Sequence, residues 1–291
     1  MNSAKALVLA AILALTPGFS GATAQETPPA AAAEWTPLDP ENTLYLETAH
    51  GRAVIVLAPW LAPRHVAQIK QLARDKFYDG LRFYRVIENF VAQFGEGETA
   101  DKPPRPTLPM EADVFLGDRL FTPVQVNDLF APQTGFVDGF AMGRLASDGP
   151  AFAAHCYGAL AMARDDDPNS GTTELYIVNG QAPRHLDRNM TVFGRVVAGM
   201  DVIQKVARGD PAVASGVLAD QSQATLINRV VLAADLPPAE RVPLEMLRTD
   251  SAEFASRLTQ RRERTQAFFF RRPPAVLDIC TVPVPVRVGQ E

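Results

Sequence analysis

The chain has 291 residues, of which 47% are apolar and 21% charged, with a formal net charge of −5. These proportions exclude a fibrous or wholly disordered chain, and the length allows one large domain with extensions or two small ones. The balance is acidic and no basic patch with interleaved aromatics occurs before residue 257, so a nucleic-acid partner is unsupported.

Residues 1–24 carry one charge, Lys5, then an apolar run from Ala6 to Leu15 and the small residues Ala22-Thr23-Ala24. That order is the pattern of a secretory signal. The apolar run is about ten residues, too short to cross a bilayer of roughly 30 Å as a helix. Export to the periplasm or beyond the cell is expected, with no membrane span after cleavage. Loss of Lys5 would take the net charge from −5 to −6.

Residues 25–40, rich in Ala, Pro, Glu and Thr, read as a flexible leader. Residues 43–47 and 52–57 are β-rich runs joined around His50-Gly51, as in a hairpin. Pro63, the spacing of Val66, Ile69, Ala73 and Phe77, and the stop at Asp79-Gly80 predict a helix. Short apolar runs at 81–87, 90–94, 158–163, 174–178, 192–197 and 225–233 predict strands, and 199–207 a second helix ended by Gly209. Residues 114–157 read as a long irregular insertion, because Pro123, Pro132, Gly135, Gly139 and Gly149 break any period. After Pro237-Pro238 a helical stretch is predicted over about 244–269, with Arg261-Arg262-Glu263-Arg264 as its solvated face. A proline-rich extended tail, 281–288, follows. Many short strands and two helices within 41–236 predict a mainly β body, a closed or nearly closed barrel. Residues 237–291 form a C-terminal extension to it.

The two cysteines, Cys156 and Cys280, form an even pair in a chain read as exported. A disulfide tying the tail to the body is expected, two buried thiols being the alternative.

Three blocks carry the chemistry. The first is Tyr78-Asp79-Gly80-Leu81-Arg82-Phe83-Tyr84-Arg85-Val86-Ile87, followed by Phe90 and Gln93. The second is Gly158-Ala159-Leu160-Ala161-Met162-Ala163-Arg164, followed by Asn169-Ser170-Gly171 and Leu175-Tyr176-Ile177. The third is His185-Leu186-Asp187 with Thr191-Val192-Phe193-Gly194-Arg195-Val196-Val197-Ala198-Gly199-Met200. In this order they resemble the cyclophilin family of peptidyl-prolyl cis–trans isomerases over about 42–235, interrupted by the 114–157 insertion.

The resemblance implies an eight-stranded antiparallel barrel capped by two helices, with the C-terminal helical extension added to it. It implies rotation about Xaa-Pro amides in proline-containing polypeptides, without cofactor, metal or covalent intermediate. By motif, Arg85 would be the catalytic hydrogen-bond donor, and Gln93 would hold the substrate backbone or orient Arg85. Phe90, Val91, Tyr176 and Leu186 would form the proline pocket, with core packing as a rival role for Phe90 and Tyr176. The Ala163 backbone would pair with bound peptide. The far wall departs from the family: Met190 stands where many members have histidine, and His185 where eukaryotic members have tryptophan. Glu174 replaces a frequent glutamine. Met190 can fill the space but cannot donate a hydrogen bond. A monomer is expected.

A different class of function stands beside this one: a catalytically weak binding module or holdase chaperone that uses the insertion and the C-terminal extension for contacts. Residues 152–156 resemble the histidine loop of chymotrypsin-like proteases, but Gly-Asp-Ser-Gly-Gly is absent, so His155 reads as a structural residue beside the disulfide. Residues 165–171 resemble a calcium loop with glycine one position late and Tyr176 rather than Glu at position twelve, which makes them a polar turn. His50, His65 and His185 share no metal-ligand spacing.

Overall fold

The computed structural model describes residues 34–97 and 105–289. The expected signal, 1–24, and residues 25–33 of the expected leader lie outside them. In chain order the elements are β1 (Trp35–Pro37), β2 (Thr43–Thr48), β3 (Gly51–Leu57), α1 (Pro63–Arg74), β4 (Arg82–Val86) and β5 (Val91–Gly95). The insertion holds β6 (Thr122–Val126), β7 (Gln133–Val137), β8 (Phe140–Arg144) and β9 (Ala151–Ala153). Then come β10 (Ala159–Met162), β11 (Leu175–Val178), β12 (Val192–Ala198), α2 (Met200–Gln204) and β13 (Ile227–Leu232). The last part contributes β14 (Leu244–Leu247), α3 (Ala252–Glu263) and β15 (Val286–Val288).

Eight strands make one antiparallel sheet in the order β13-β2-β3-β12-β10-β11-β5-β4. Its edges meet: the Phe83 N–H donates to the Thr225 carbonyl at 3.0 Å and the Ile227 N–H to the Leu81 carbonyl at 2.8 Å. Closure removes the exposed edges that an open sheet would leave. Side chains alternating inward, among them Leu46, Ile55, Phe83, Phe94, Ile177 and Phe193, fill the interior with the apolar stripe of α1, Val66, Ile69 and Leu72. Pro63 sits in the first turn of α1, where its missing N–H costs nothing. With α2 as the second helix, this is the barrel that the sequence predicts.

Outside the barrel the structure corrects three expectations. The insertion is not irregular: β6 to β9 form a four-stranded antiparallel sheet in sequence order. Asp138 and Gly139, both at positive φ (49° and 82°), make a two-residue turn between the paired Val137 and Phe140. Asp-Gly is suited to that turn because both positions need left-handed backbone. Pro123 is tolerated because β6 is an edge strand.

The helix expected over 244–269 is shorter. Residues 244–247 are strand β14, and α3 begins at Ala252 after Ser251, whose side chain accepts the Phe254 N–H at 3.2 Å. Within the expected flexible leader, the described residues 34–40 are structured: β1 pairs with β14, which in turn pairs with β15 of the tail.

The extension packs on the insertion. Phe254 meets Phe136 edge-on at 5.4 Å, and Leu247, Leu258, Leu277, Ile279 and Val284 bury with Val124. The disulfide Cys156–Cys280 ties this tail to the segment just before β10, closing 124 residues of sequence. Replacing both cysteines by serine is expected to lower stability by about 2–4 kcal/mol, read as a lower urea midpoint. An unmoved midpoint would show that packing alone holds the tail.

His65 on α1 is 1% exposed, stacks on Phe193 and sits 2.8 Å from Glu111 through Nδ1. Burial pushes its imidazole below the ordinary 6.5 against the opposing pull of Glu111. The unfolded chain therefore takes up this proton more readily than the fold does. The stabilisation is whole above about 6.5 and is lost as pH falls below it. Melting temperature is expected to drop between pH 7 and pH 5, and to drop less steeply in His65→Gln, as measured by circular dichroism.

Candidate active site

Strands β4 and β5 pair at Arg82↔Gly95 and again at Arg85↔Gln93, so β4 carries one extra residue between these points. Such a bulge breaks the strict alternation of side chains and re-aims them. As a result both Tyr84 and Arg85 reach Gln93. The Arg85 guanidinium donates from Nη1 to Gln93 Oε1 at 3.0 Å, and Gln93 Nε2 donates to the Tyr84 hydroxyl. Burial first, and then the nearby Glu174 carboxylate, push the Tyr84 hydroxyl above its ordinary range, so it stays protonated. The row Tyr84–Gln93–Arg85 fixes the amide orientation of Gln93, whose Oε1 accepts from Arg85 and whose Nε2 donates to Tyr84.

Two backbone features hold this row. Gly95, at φ 148°, lies so close to Glu174 that a Cβ would come within 2.3 Å of its carboxylate. From the other side, Arg85 Nε donates to the Ser215 carbonyl at 2.9 Å. Ser215 stands in a tight loop with Ala214 and Gly216, all at positive φ, and the Leu218 N–H donates to the Tyr84 carbonyl. Of the five N–H groups of Arg85, two are used in this way among the described residues.

The expected apolar residues gather next to this row on the outer face of the barrel. Val91 and Tyr176 are buried in one cluster, and Phe90, Ala163 and Met190 pack against it half-buried. His185, exposed, stacks on Phe90 with ring centroids 6.4 Å apart and planes within 11°. Leu186, half-buried on the 3-10 turn Arg184–Leu186, is not part of that cluster. The Ala163 N–H is already spent on the Glu174 carbonyl at 2.8 Å, which leaves its carbonyl for a peptide.

The same cluster includes insertion residues that the sequence reading did not bring to the site, among them Val137, Phe140, Met142 and Ala153. His155 also comes from the insertion and is more than a neighbour of the disulfide. It is fully buried and receives its bonds on both ring nitrogens: Nδ1 lies 3.0 Å from Asp187 Oδ1 and Nε2 3.0 Å from the Tyr176 hydroxyl. Asp187 can only accept, so Nδ1 carries the proton and Nε2 accepts from Tyr176. Asp187 also holds the His155 N–H at 2.8 Å and pairs with Arg184, which reaches Asp128 at 3.3 Å. Burial, and then the Asp187 charge, push the Tyr176 hydroxyl upward, which keeps it a donor. The histidine of the protease-like segment 152–156 thus ends on Tyr176 rather than on a serine.

No sequence spacing announces Tyr84, Ser215, His155 or Asp187 as a set. Tyr84 is hidden by the bulge, and the others arrive from loops far along the chain. Removing the hydroxyl in Tyr176→Phe is expected to cost about 1–3 kcal/mol, because His155 Nε2 is left buried without a donor. Paired with His155→Leu in a double-mutant cycle, the two costs are expected to fall short of additive. Strict additivity in chemical denaturation would disprove the coupling.

Residues 43–230 match the family described as "Cyclophilin type peptidyl-prolyl cis-trans isomerase/CLD". A Brucella suis protein named as a probable peptidyl-prolyl cis-trans isomerase is 34% identical over 180 residues, 60% of this chain and 76% of its own. Peptidyl-prolyl cis-trans isomerase B of Bacillus subtilis is 31% identical over 155 residues, 53% of this chain and 82% of its own. Among solved structures, the cyclophilin AquaCyp293 from Hirschia baltica superposes with a TM-score of 0.69 at 28% identity. That match covers 88% of this chain and 95% of that one, so the likeness runs beyond the family segment into the added parts. On the match over more than half its length and on the barrel that carries it, this chain belongs to the cyclophilin-type peptidyl-prolyl cis–trans isomerases.

Proposed function

We propose that the chain catalyses Xaa-Pro isomerisation in exported proteins by a non-covalent route, with Arg85 as the donor. The observation that carries this reading is the row Tyr84–Gln93–Arg85, which holds a guanidinium beside an apolar wall. The proline ring would rest against Phe90, Val91, Tyr176 and Met190. A donor aimed at the prolyl nitrogen favours its pyramidal form, in which the lone pair no longer conjugates with the carbonyl and the C–N bond turns as a single bond.

Magnitudes agree with so simple a device. Uncatalysed rotation takes tens to hundreds of seconds. Shortening that to about 10 ms needs roughly 10⁴-fold, or about 5.5 kcal/mol. One preorganised donor supplies about 3–4 kcal/mol, and withdrawal of the amide from water supplies the rest, since resonance is weaker in an apolar pocket. Burial of Tyr176 and Val91, at 3% exposure each, supports such a dry floor.

Export is supported by the order of charge, apolar run and small residues in 1–24. The Cys156–Cys280 disulfide supports it independently, since such bonds persist in oxidising compartments. Residues 41–236 would then be the isomerase unit and 237–291 a brace on its insertion. The proteins served would be chains with slow Xaa-Pro bonds folding outside the cytoplasm.

In a proline-limited refolding assay, Arg85→Ala is expected to lower kcat/KM by roughly 10²–10³-fold with little change in melting temperature. Tyr84→Phe, which removes the hydroxyl that accepts from Gln93 Nε2, is expected to lower it by about tenfold through a misaligned Arg85. Wild-type rates in Arg85→Ala would reject this mechanism. Aggregation suppression that survives alongside such rates would favour the holdase.

A further inference from the structure

Residues 257–277 hold six arginines and one acidic residue, Glu263, in a chain of net charge −5. This segment therefore carries +5 and the remainder −10. Two of the arginines are engaged: Arg257 pairs with Glu253 at 2.6 Å, and Arg262 turns inward to the carbonyls of Val124 and Ala275. Arg261, Arg264, Arg271 and Arg272 have no carboxylate partner among the described residues.

Their placement is not diffuse. Arg257, Arg261 and Arg264 follow one side of α3 to its C-terminal cap and line a groove of about 370 Å³ with Phe269, Pro283 and Pro285. Beside it the loop after α3 leaves Phe268 87% and Phe270 92% exposed. The Arg271 guanidinium lies 5.9 Å from the Phe270 ring, and Phe269 braces Phe268 edge-on at 5.4 Å. Single exposed apolar residues are ordinary. Two bare phenylalanines at one loop tip, flanked on both sides by unpaired arginines, are not.

We propose that this loop and groove dock the protein on an anionic lipid bilayer. Phe268 and Phe270 enter the boundary between headgroups and acyl chains, while Arg261, Arg264, Arg271 and Arg272 meet lipid phosphates. Aromatic tips with a basic collar are the chemistry of interfacial binding, and each arginine near a negative surface adds a similar increment. The charge distribution chooses the occupant. An anionic surface attracts the +5 end and repels the −10 remainder, so it also orients the molecule. Among the described residues no helix is long and apolar enough to cross a membrane, so the contact is peripheral. An exported chain, on the reading above, meets lipid phosphate rather than nucleic acid.

The test is sedimentation of the full chain with phosphatidylcholine vesicles, with and without phosphatidylglycerol. Binding is expected only with phosphatidylglycerol and is expected to weaken with added salt. Arg271→Gln with Arg272→Gln is expected to weaken it roughly 30-fold, and Phe268→Ser with Phe270→Ser at least about tenfold. Residues 1–24 are common to all these chains and cannot produce a difference between them. Melting temperature and isomerase turnover of a soluble Xaa-Pro peptide are expected to stay at wild-type values, since none of the four side chains belongs to the site. Equal vesicle binding by wild type and both variants overturns the proposal. So does binding that ignores phosphatidylglycerol, or a preference for a single-stranded oligonucleotide over vesicles.

Discussion

Strands β10 and β11 are buried on both faces, and much of the structure outside the barrel answers to that. Leu160, Met162, Leu175 and Ile177 point into the barrel, while Ala159, Ala161, Tyr176 and Val178 point out of it into a second apolar cluster. A sheet face of that kind cannot be left to water without losing roughly 25 cal/mol for each Å² of apolar surface. The insertion supplies the cover through Val137, Phe140, Met142 and Ala153, and the extension covers the insertion in turn through Phe254, Leu258 and Ile279. The disulfide joins the extension to the end of the insertion, just before β10.

At the margin of this cover Tyr176 and Val91 are buried, and Phe90, Met190 and Ala163 are only half-buried beside them, which makes the apolar wall on which the proposed function rests. The insertion therefore does more than occupy space. Through His155 it engages the hydroxyl of Tyr176, with Asp187 and Arg184 as the backing. On the polar side, the bulge in β4 performs the matching task by bringing Tyr84 and Arg85 to one glutamine.

The body of the barrel was legible because its signals are local. Short apolar runs fall within a residue or two of the strands, and α1 keeps the spacing of Val66, Ile69 and Ala73, although it ends at Arg74, short of the expected Phe77 and Asp79-Gly80, and α2 ends at Gln204, short of 207. The insertion looks irregular in sequence because prolines and glycines ordinarily break a period. Pro123 is harmless on an edge strand, and Asp138-Gly139 is itself a hairpin signal between Val137 and Phe140. The C-terminal helix is shorter than its spacing suggests for a related reason. Leu244 to Leu247 fit a helical spacing, yet they are claimed as a strand by β1 and β15, which lie about 200 residues before and about 40 after. Long-range pairing overrode local propensity.

By itself the sequence determined the family resemblance, the barrel and the strand pair that carries Arg85 and Gln93. These follow from residue type and spacing within short windows, where one chain suffices. That Cys156 and Cys280 meet, 124 residues apart, was an expectation beside the alternative of two buried thiols, and the fold brings them together. Only the tertiary structure decided that Tyr84 shares the face of Arg85, that Ser215 closes on its guanidinium and that an insertion histidine anchors Tyr176. Each of those depends on a bulge or on loops that meet across a closed barrel. No periodicity along the chain records such meetings, because they are set by how the layers pack and not by the order of the residues.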